Sequence, residues 1–219
     1  MPAQAQLVPL NLQLIQLASR ISIVCPIFGG KTKRMNITYP HTITNCIGEK
    51  LVFKSLLKGE KGGDKLLVEN FVEPGCGPVM HTHWLQDEAL TVLEGTIGYQ
   101  VHGQPEQFAS KGETVFFGRG VPHRFWNAGR DVLHCEGYVQ PANSIVYFLT
   151  GIYEAQNKSG KAEPDKFDSA FLMTRYAHEF DLVEIPKLVK KAIIPITYQI
   201  GKLLGKYKKF SDAPAPVTA

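Results

Sequence analysis

Short segments with strand character follow one another closely through the middle of the sequence, and this pattern restricts the fold more than any other feature. Each segment is rich in β-branched, aromatic and other apolar residues. Turns with glycine, aspartate or asparagine separate the segments, and no ten-residue helical pattern interrupts them. The pattern predicts a mainly β, antiparallel sandwich or barrel rather than alternating parallel strands and helices. The predicted strands are 51–57, 65–72, 88–94, 96–102, 113–117, 123–127 and 132–139.

The barrel-forming region, residues 46–140, lies between segments of different character. Residues 1–45 are predicted to be an N-terminal arm, in which leucines recur at helical spacing and indicate a possible short helix. Residues 141–210 show helical periodicity and predict a C-terminal helical extension. Residues 211–219 are rich in proline and alanine and are predicted to be a disordered tail.

Length and composition favour one folded domain with extensions. The chain has 219 residues, 44% hydrophobic and 20% charged, which is enough to form a core. A net charge of +4 does not by itself indicate nucleic-acid binding. The four cysteines include no CxxC pair, which predicts a reduced, cytoplasmic protein. The N-terminus lacks the early positive charge of a secretory signal, and no uncharged run is long enough for a membrane-spanning helix.

Polar residues with metal-binding chemistry interrupt the apolar stretch 74–95. His81 and His83 are two residues apart, so on a strand they lie on the same face. Glu88 begins the next predicted strand with the parity of core residues, and His123 begins a later strand. Either these are separate polar residues on strands, or they converge on one ion. Three neutral imidazoles and a carboxylate suit a divalent first-row metal such as Fe, Mn, Ni, Cu or Zn.

The spacing of these residues resembles the two sequence motifs of the cupin superfamily. The residues that match the first motif are Gly75, His81, His83, Glu88 and Gly95. The residues that match the second motif are Gly112, Gly120, His123 and Asn127. One position departs from the family pattern, because Gly118 stands where the family has proline. The resemblance covers about residues 46–140, and the short gap between the motifs is typical of compact, single-domain bacterial cupins.

The resemblance implies a cupin jelly-roll antiparallel β-barrel with a divalent transition metal near its mouth, held by His81, His83, Glu88 and His123. An octahedral ion with four protein ligands keeps two positions open. The resemblance therefore implies a metal-dependent enzyme, a dioxygenase or an isomerase acting on a small organic molecule, with Glu88 as the catalytic base. The alternatives are a non-enzymatic protein that binds or senses a small molecule, because one fold serves many functions, and a membrane-surface accessory protein that uses the basic C-terminal helix. Cupin barrels often pair through edge strands, which implies a homodimer.

Residues next to the predicted ligands are candidates for a substrate pocket. Phe125 and Asn127 share the parity of the histidine ligand on their strand, and Val79 shares that of the HxH pair, so all three are expected to face the interior. Trp126 has the opposite parity and is expected outside the barrel, under the C-terminal helices. Gln86 lies in a loop and is expected to be solvated.

A basic amphipathic segment ends the helical region. Apolar residues from Ile185 to Tyr207 form one helical stripe, and most lysines of the segment lie off it. Pro195 is expected to kink or split the helix. Such a helix can make a weak contact with the inner face of an anionic membrane, or its stripe can pack on the barrel or on a partner subunit. Packing is the commoner arrangement and is predicted here. The motifs of RNA-binding modules are missing, so no nucleic-acid partner is predicted.

Overall fold

The computed structural model describes residues 37–217, and the predicted N-terminal helix lies outside the described residues. The strands are β1 (His41–Thr44), β2 (Glu49–Leu57), β3 (Lys65–Val72), β4 (His81–His83), β5 (Asp87–Glu94), β6 (Thr96–Val101), β7 (Gln107–Ser110), β8 (Thr114–Phe117), β9 (His123–Asn127), β10 (Leu133–Gln140) and β11 (Phe180–Leu182). The helices are α1 (Ile145–Ser159), α2 (Lys166–Arg175) and α3 (Ile194–Leu203), with a π-helical turn at Val189–Ile193 and a 3-10 turn at Lys208–Phe210.

Two antiparallel sheets form the barrel. One has six strands in the order β1-β2-β3-β10-β5-β8, and the other has five in the order β11-β4-β9-β6-β7. Both the mainly β class and the cupin jelly-roll predicted from the sequence are confirmed. All seven predicted strands are present, and β3 and β9 have the predicted bounds. Gly75, Gly95 and Gly112, which the motifs place at bends, have positive φ angles of 74°, 87° and 86°.

Alternating side chains build the core of the barrel. On β3, every second residue from Leu66 to Val72 is buried, while Glu69 and Phe71 lie on the other face. There the Glu69 carboxylate is 2.8 Å from His134 Nε2 of the neighbouring strand. Complete burial of a leucine such as Leu66 stabilises the fold by roughly 2 kcal/mol. The period-two pattern of the sequence therefore decides which face of each strand packs inward.

Two clusters of buried apolar residues fill the molecule. One lies between the sheets and includes Leu90, Val92, Ile97, Phe117 and Leu133. The other joins β2 and β3 to the helices and includes Phe53, Leu66, Phe148, Leu172 and Tyr176. The helical extension is therefore part of the hydrophobic core and not an appendage.

Helix α1 packs along the barrel. Its Phe148 ring stacks on that of Phe180 in β11, with ring centroids 4.3 Å apart. The helix ends at Gly160, whose left-handed φ of 68° is typical of a helix C-terminus. Helix α2 follows after a short turn, and the Asp165 carboxylate caps it by accepting hydrogen bonds from two backbone amides of the first turn.

The C-terminal helical segment runs on through Pro195 without splitting. A proline has no amide hydrogen to donate, and the π-helical turn Val189–Ile193 directly precedes the proline, which lies at the start of α3. The π-helical turn thus accommodates the proline within a continuous helical segment. Among the described residues, no helix combines the length and the apolar character needed to cross a membrane.

Most of the apolar stripe does not pack on the barrel, and its packing on a partner subunit stays a prediction. Helix α3 contacts α2 through one narrow side, where the Tyr198 and Tyr207 rings lie 6.3 and 5.2 Å from that of Phe171. Gly201 on the same side leaves room for the Tyr207 ring against the helix backbone. The larger aliphatic side chains of the stripe point away from this contact. These exposed residues are Leu188, Ile193, Ile196, Ile200, Leu203 and Leu204.

The tail predicted to be disordered over 211–219 packs on the domain as far as the structure describes it. The Arg175 guanidinium donates to the carbonyl oxygens of Ala213 and Pro214, both at 3.0 Å. The backbone amide of Val217 donates to Glu179 Oε1 at 3.2 Å. Backbone carbonyls and amides, which composition does not reveal, hold this segment in place.

Candidate metal centre

Strands from both sheets bring the four predicted ligands together. His81 and His83 lie on β4, and His81 is paired directly with His123 of the neighbouring β9. Glu88 extends from β5 in the other sheet. One nitrogen or oxygen from each of the four residues lies within 4.8 Å of all the others. Residues that are far apart in the sequence therefore form one cluster inside the barrel.

Backbone carbonyls fix the orientation of two imidazoles. His81 Nδ1 lies 2.8 Å from the carbonyl oxygen of Val79, and His123 Nδ1 lies 2.8 Å from that of Val121. A carbonyl oxygen can only accept, so Nδ1 carries the hydrogen in both rings. The Nε2 lone pair of each neutral imidazole is then free to bind a cation, and such a hydrogen bond also raises its basicity.

The Glu88 carboxylate faces these lone pairs, and this arrangement tests whether a metal fits. Glu88 Oε2 lies 3.3 Å from His123 Nε2 and 3.7 Å from His83 Nε2. When the His123 imidazole is neutral, its Nε2 and Glu88 Oε2 are both acceptors and repel each other. A cation between these two atoms would remove the repulsion. His83 Nδ1 is buried and has no hydrogen-bond partner among residues 37–217. A buried polar atom without a partner is costly, so the donor set fits a divalent metal ion.

The protonation states of the cluster also suit a metal. Burial, together with the neighbouring imidazoles, lowers the pKa of His81 to about 3. Burial lowers the pKa of His83 to about 4, against the opposing attraction of Glu88. Burial on its own would raise the pKa of Glu88, but the three imidazoles around it outweigh burial and lower the pKa to about 2. At neutral pH His81 and His83 are neutral and Glu88 is ionised, as metal ligation requires.

An ion pair holds the turn that departs from the family motif. The Asp87 carboxylate, next to Glu88, accepts from Arg119 through the guanidinium at 2.6 and 3.1 Å and through the backbone amide at 2.8 Å. The amide of Gly120 donates to the carbonyl oxygen of His83 at 2.7 Å. These bonds connect both motifs across the sheets. The turn at Gly118 is therefore fixed without the proline of the family pattern.

Gln86 was expected to be solvated, and this expectation is wrong. Its side chain is fully buried, and Nε2 donates to Glu179 Oε2 at 3.0 Å. Glu179 is fully buried too and also accepts from the amide of Ser144 at 3.1 Å, just before α1. The loop between His83 and Glu88 is thus tied to a residue 93 positions away, a contact that no local pattern predicts.

A cavity of about 180 Å³ opens beside the cluster. His81, His83 and Glu88 form part of its wall. Most of the remaining wall is aromatic or aliphatic and comes from both sheets, from α1 and from β11. Its largest apolar residues are Phe53, Phe125, Phe148, Leu149, Ile152 and Phe180. An apolar cavity of roughly 150 Å³ can hold benzene, so this one suits a molecule of about that size.

The three predicted pocket residues have different positions. Phe125 is buried and lines the cavity, and Val79 lines it while remaining 53% exposed. Asn127 faces inward but is absent from the cavity wall. Its amide donates to the carbonyl oxygens of Val72 and Asp131 at 2.7 and 2.8 Å, which fixes the turn after β9. Asn127 therefore supports the turn and is not a pocket residue.

Trp126 lies outside the barrel, as its parity predicts, but not under the C-terminal helices. Its ring packs edge-to-face with that of Phe108 on β7, with centroids 6.1 Å apart. Gly98 lies beneath the ring, where any β-carbon would collide with it. The guanidinium of Arg124 lies 5.0 Å from the ring centroid, in a cation–π contact.

A second polar group on the cavity wall was missed by sequence reasoning. The Glu49 carboxyl is buried on β2 and accepts from Asn45 Nδ2 at 2.6 Å. Burial raises the pKa of Glu49, although hydrogen bonds from Asn45 and Tyr153 oppose the rise. Tyr153, from α1, also lines the cavity. The only sequence signal was the inward parity of Glu49 on its strand.

Comparison with protein families finds a match within the barrel. Residues 71–135 match the family model described as Cupin domain. The matched range contains His81, His83, Glu88 and His123. No curated protein sequence matches the chain. The resemblance to the cupin superfamily is confirmed for this part of the chain.

Solved structures resemble the chain only in part. A proposed sugar phosphate isomerase from Acidithiobacillus ferrooxidans is 23% identical over 36% of this chain and 51% of its own, with a TM-score of 0.33. The cupin domain of Cnp3 from Schizosaccharomyces pombe is 16% identical over 41% of this chain and 60% of its own, with a TM-score of 0.36. KdgF from a Halomonas species is 15% identical over 48% of this chain and 92% of its own, with a TM-score of 0.38. The matches span less than two thirds of the length of the first two proteins.

Proposed function

We propose that the protein is a metal-dependent cupin that acts on a small organic molecule by oxygenation or isomerisation. His81, His83, Glu88 and His123 would hold a divalent transition metal. The observation that carries the proposal is the convergence of their four ligand atoms within 4.8 Å of one another, beside an apolar cavity. A bound ion would supply a Lewis acid for an oxygen atom of the substrate.

The lining of the cavity indicates the class of molecule that it takes. Aromatic and aliphatic side chains form most of the wall, so a largely apolar ligand gains most by leaving water there. Charged groups occur at three places, the cluster, the Glu49 carboxyl and Asp181, and Asn70, Tyr153 and Gln156 are uncharged polar residues of the wall. These features support a small ring or branched-chain molecule with an oxygen at one end and a second polar group that Glu49 can bind.

The chain's own residues would orient this molecule and control its protons. Phe125, Phe148 and Phe180 exclude water from the cavity. Glu49, whose pKa is raised by burial, can hold a proton on its carboxyl oxygen more readily than an exposed glutamate. We also propose that Glu88 is the catalytic base, as predicted from the sequence.

A non-enzymatic protein that binds or senses a small molecule is the second candidate. One observation favours it, the small number of acid–base groups on the cavity wall. Apart from the ligand cluster, the described wall carries the carboxylates Glu49 and Asp181, and Lys190 pairs with Asp181 at 2.7 Å. Metal and ligand binding without turnover would support this function.

Metal analysis of the purified full-length protein tests the proposal first. The protein is incubated in turn with Fe, Mn, Ni, Cu and Zn ions and dialysed, and bound metal is measured by mass spectrometry. We expect stoichiometric metal in the wild type and a loss of at least tenfold in affinity for His81→Ala and His123→Ala, because each substitution removes a ligand. His134→Ala is the matched control, because His134 lies on the same barrel but outside the cluster.

Failure of the wild type to retain any of these metals would overturn the proposal, as would equal retention by the ligand variants. Oxygen uptake and product analysis with phenols and diketones then separate enzyme from binding protein. Conversion that depends on metal supports the enzyme, and binding alone supports the second candidate. The predicted homodimer and the bacterial single-domain type stay predictions, and sedimentation velocity measures the oligomeric state.

A further inference from the structure

A group of large aliphatic side chains on the C-terminal helical segment is exposed together, and we name these residues the α3 face. Their exposed fractions are 73% for Leu188, 52% for Ile193, 57% for Ile196, 45% for Ile200, 87% for Leu203 and 60% for Leu204. Spacings of three, four and eight residues put most of them on one side of the helix. Single exposed aliphatic residues are ordinary, but a cluster of this kind marks a binding surface.

The orientation of the helix shows that this exposure is built into the fold. The opposite side of α3 is held by the contact of Tyr198 and Tyr207 with Phe171. Nearer its start, Lys190 Nζ donates to both carboxylate oxygens of Asp181 at 2.7 Å. Rotation of the helix to bury the α3 face would break both contacts. The fold therefore directs the aliphatic side chains outward.

The helical segment that carries the α3 face is rich in lysine and has no acidic residue of its own. No aspartate or glutamate occurs between Ile185 and Ser211, whereas the same stretch contains seven lysines. Two of the seven are paired, Lys190 with Asp181 and Lys209 with Asp168. The others make no ion pair within residues 37–217, and all of them are exposed. They are Lys187, Lys191, Lys202, Lys206 and Lys208.

We propose that the α3 face docks on an anionic membrane surface. The helix would lie in the plane of the bilayer, with its aliphatic side chains among the acyl chains and its lysines at the phosphate groups of the lipids. Apolar area and positive charge on one helix are the two features that an anionic lipid surface binds together. Long lysine side chains beside a buried apolar face can reach outward to the headgroups.

Charge complementarity favours lipid over a second copy of the chain. Two α3 faces in contact would bring the unpaired lysines of both copies together without carboxylates from the same stretch to neutralise them. Anionic headgroups neutralise the lysines instead. This inference is independent of the metal centre, because it uses other residues and needs neither metal nor substrate.

Vesicle co-sedimentation with the full chain tests the proposal. Vesicles of phosphatidylcholine alone are compared with vesicles in which part of the lipid is phosphatidylserine, at low and at high salt. We expect binding to the anionic vesicles that is at least tenfold stronger than to the neutral vesicles and that falls with salt, because screening weakens the attraction of the lysines.

Two double variants separate the apolar and the charged contributions. Ile200→Glu with Leu203→Glu removes aliphatic contacts, and Lys187→Glu with Lys202→Glu reverses the charge. Each is expected to weaken binding to anionic vesicles at least tenfold while circular dichroism and melting temperature stay at wild-type values, since all four residues are exposed. Val132→Glu is the control, because Val132 is an exposed aliphatic residue of the barrel, 42% exposed, away from α3.

Several outcomes would overturn the proposal. Wild-type protein that does not bind anionic vesicles, or that binds neutral ones equally well, contradicts it. Binding that survives both double variants would mean that another segment contacts the lipid. A dimer that Ile200→Glu with Leu203→Glu dissociates, in a protein that binds no vesicles, would make the α3 face an interface between copies.

Discussion

At the scale of single residues, the imidazoles of His81 and His83 make the stability of the metal-free protein depend on pH. Their pKa values are about 3 and about 4 in the folded chain, against an ordinary value of 6.5. Below pH 6.5 the unfolded chain takes up protons that the folded chain does not, so stability is complete above pH 6.5 and is lost as the pH falls toward 4. We expect each histidine to contribute at most about 1.4 kcal/mol per pH unit.

Urea unfolding of chelator-treated protein, at a series of pH values from neutral to mildly acidic, measures this dependence. His83→Gln keeps a polar side chain but cannot titrate, so its free energy of unfolding should fall less steeply with decreasing pH than that of the wild type. Equal slopes for the two proteins would show that His83 is not responsible.

Two glutamates in different surroundings should respond in opposite ways to the same substitution. Burial raises the pKa of Glu49, so its ionised form destabilises the fold at pH values above its ordinary pKa of 4.5. The hydrogen bond with His134, helped by Lys54 against burial, lowers the pKa of Glu69, so its ionised form stabilises the fold. We expect Glu49→Gln to raise the free energy of unfolding at neutral pH, and Glu69→Gln to lower it.

Chemical denaturation of both variants at neutral pH and near pH 4 tests these signs. The two effects should shrink at the lower pH, where a growing share of the carboxyl groups is protonated in both states. A loss of stability in Glu49→Gln at neutral pH would mean that hydrogen bonds stabilise the ionised Glu49 carboxylate more than burial destabilises it.

At the scale of secondary-structure elements, strands with alternating buried residues could be predicted from the sequence and those without could not. β3 buries every second residue, and its predicted bounds match the structure. β7 buries only Ala109 of its four residues, and β11 is three residues long. Both lie at the edges of their sheet. Their strand conformation depends on a paired neighbour, which periodicity does not show.

The ligand cluster could be predicted from the spacing of residues along the chain, but the cavity could not. Motif spacing fixes which residues share a strand face, and that was enough for His81, His83, Glu88 and His123. The α1 wall, Glu49 and the Gln86–Glu179 bond depend on contacts between distant parts of the chain. The helical periodicity of α1 indicates an apolar side but not the surface on which that side packs.

Helix α1 supplies a wall of the cavity, so its substitution should change ligand binding without changing metal binding. Ile152 lines the cavity, and Glu154 is exposed on the same helix. We expect Ile152→Trp to fill part of the cavity and weaken phenol binding at least tenfold, with unchanged metal content. Glu154→Trp, which adds the same ring outside, should bind phenol as the wild type does.

Calorimetric titration with phenol as the probe measures the dissociation constants. Melting curves of both variants show whether the larger side chain strains the core, since overpacking costs roughly 1–3 kcal/mol. Equal phenol affinity in wild type and Ile152→Trp would place the ligand site elsewhere and would leave the metal centre unaffected.

At the scale of the whole molecule, the elements that carry the candidate metal centre and the α3 face pack on one connected core. The first lies inside the barrel, with α1 along its cavity, and the second lies beyond α2, which packs between α1 and α3. Phe148 and Phe171 belong to the same apolar cluster, which runs from β2 and β3 to the C-terminal tail. One apolar cluster thus lies between the proposed small-molecule site and the proposed lipid-docking surface.

Metal binding should stabilise this whole fold, because the ligands join both sheets. β4 and β9 of the five-stranded sheet carry the histidines, and β5 of the six-stranded sheet carries Glu88. An ion that binds the folded but not the unfolded chain adds about 2.7 kcal/mol at a free concentration of 100 times its dissociation constant. For a chain of this length that corresponds to a rise of roughly 5–10 °C in melting temperature.

Differential scanning calorimetry with and without the metal that analysis identifies measures the rise. His123→Ala should show a clearly smaller rise than the wild type, because it removes the ligand that joins His81 to Glu88 across the cluster. His134→Ala should keep the wild-type rise. A metal that raised the melting temperature of all three proteins equally would be bound outside the cluster, since only a site built from β4, β5 and β9 makes the stabilisation depend on His123.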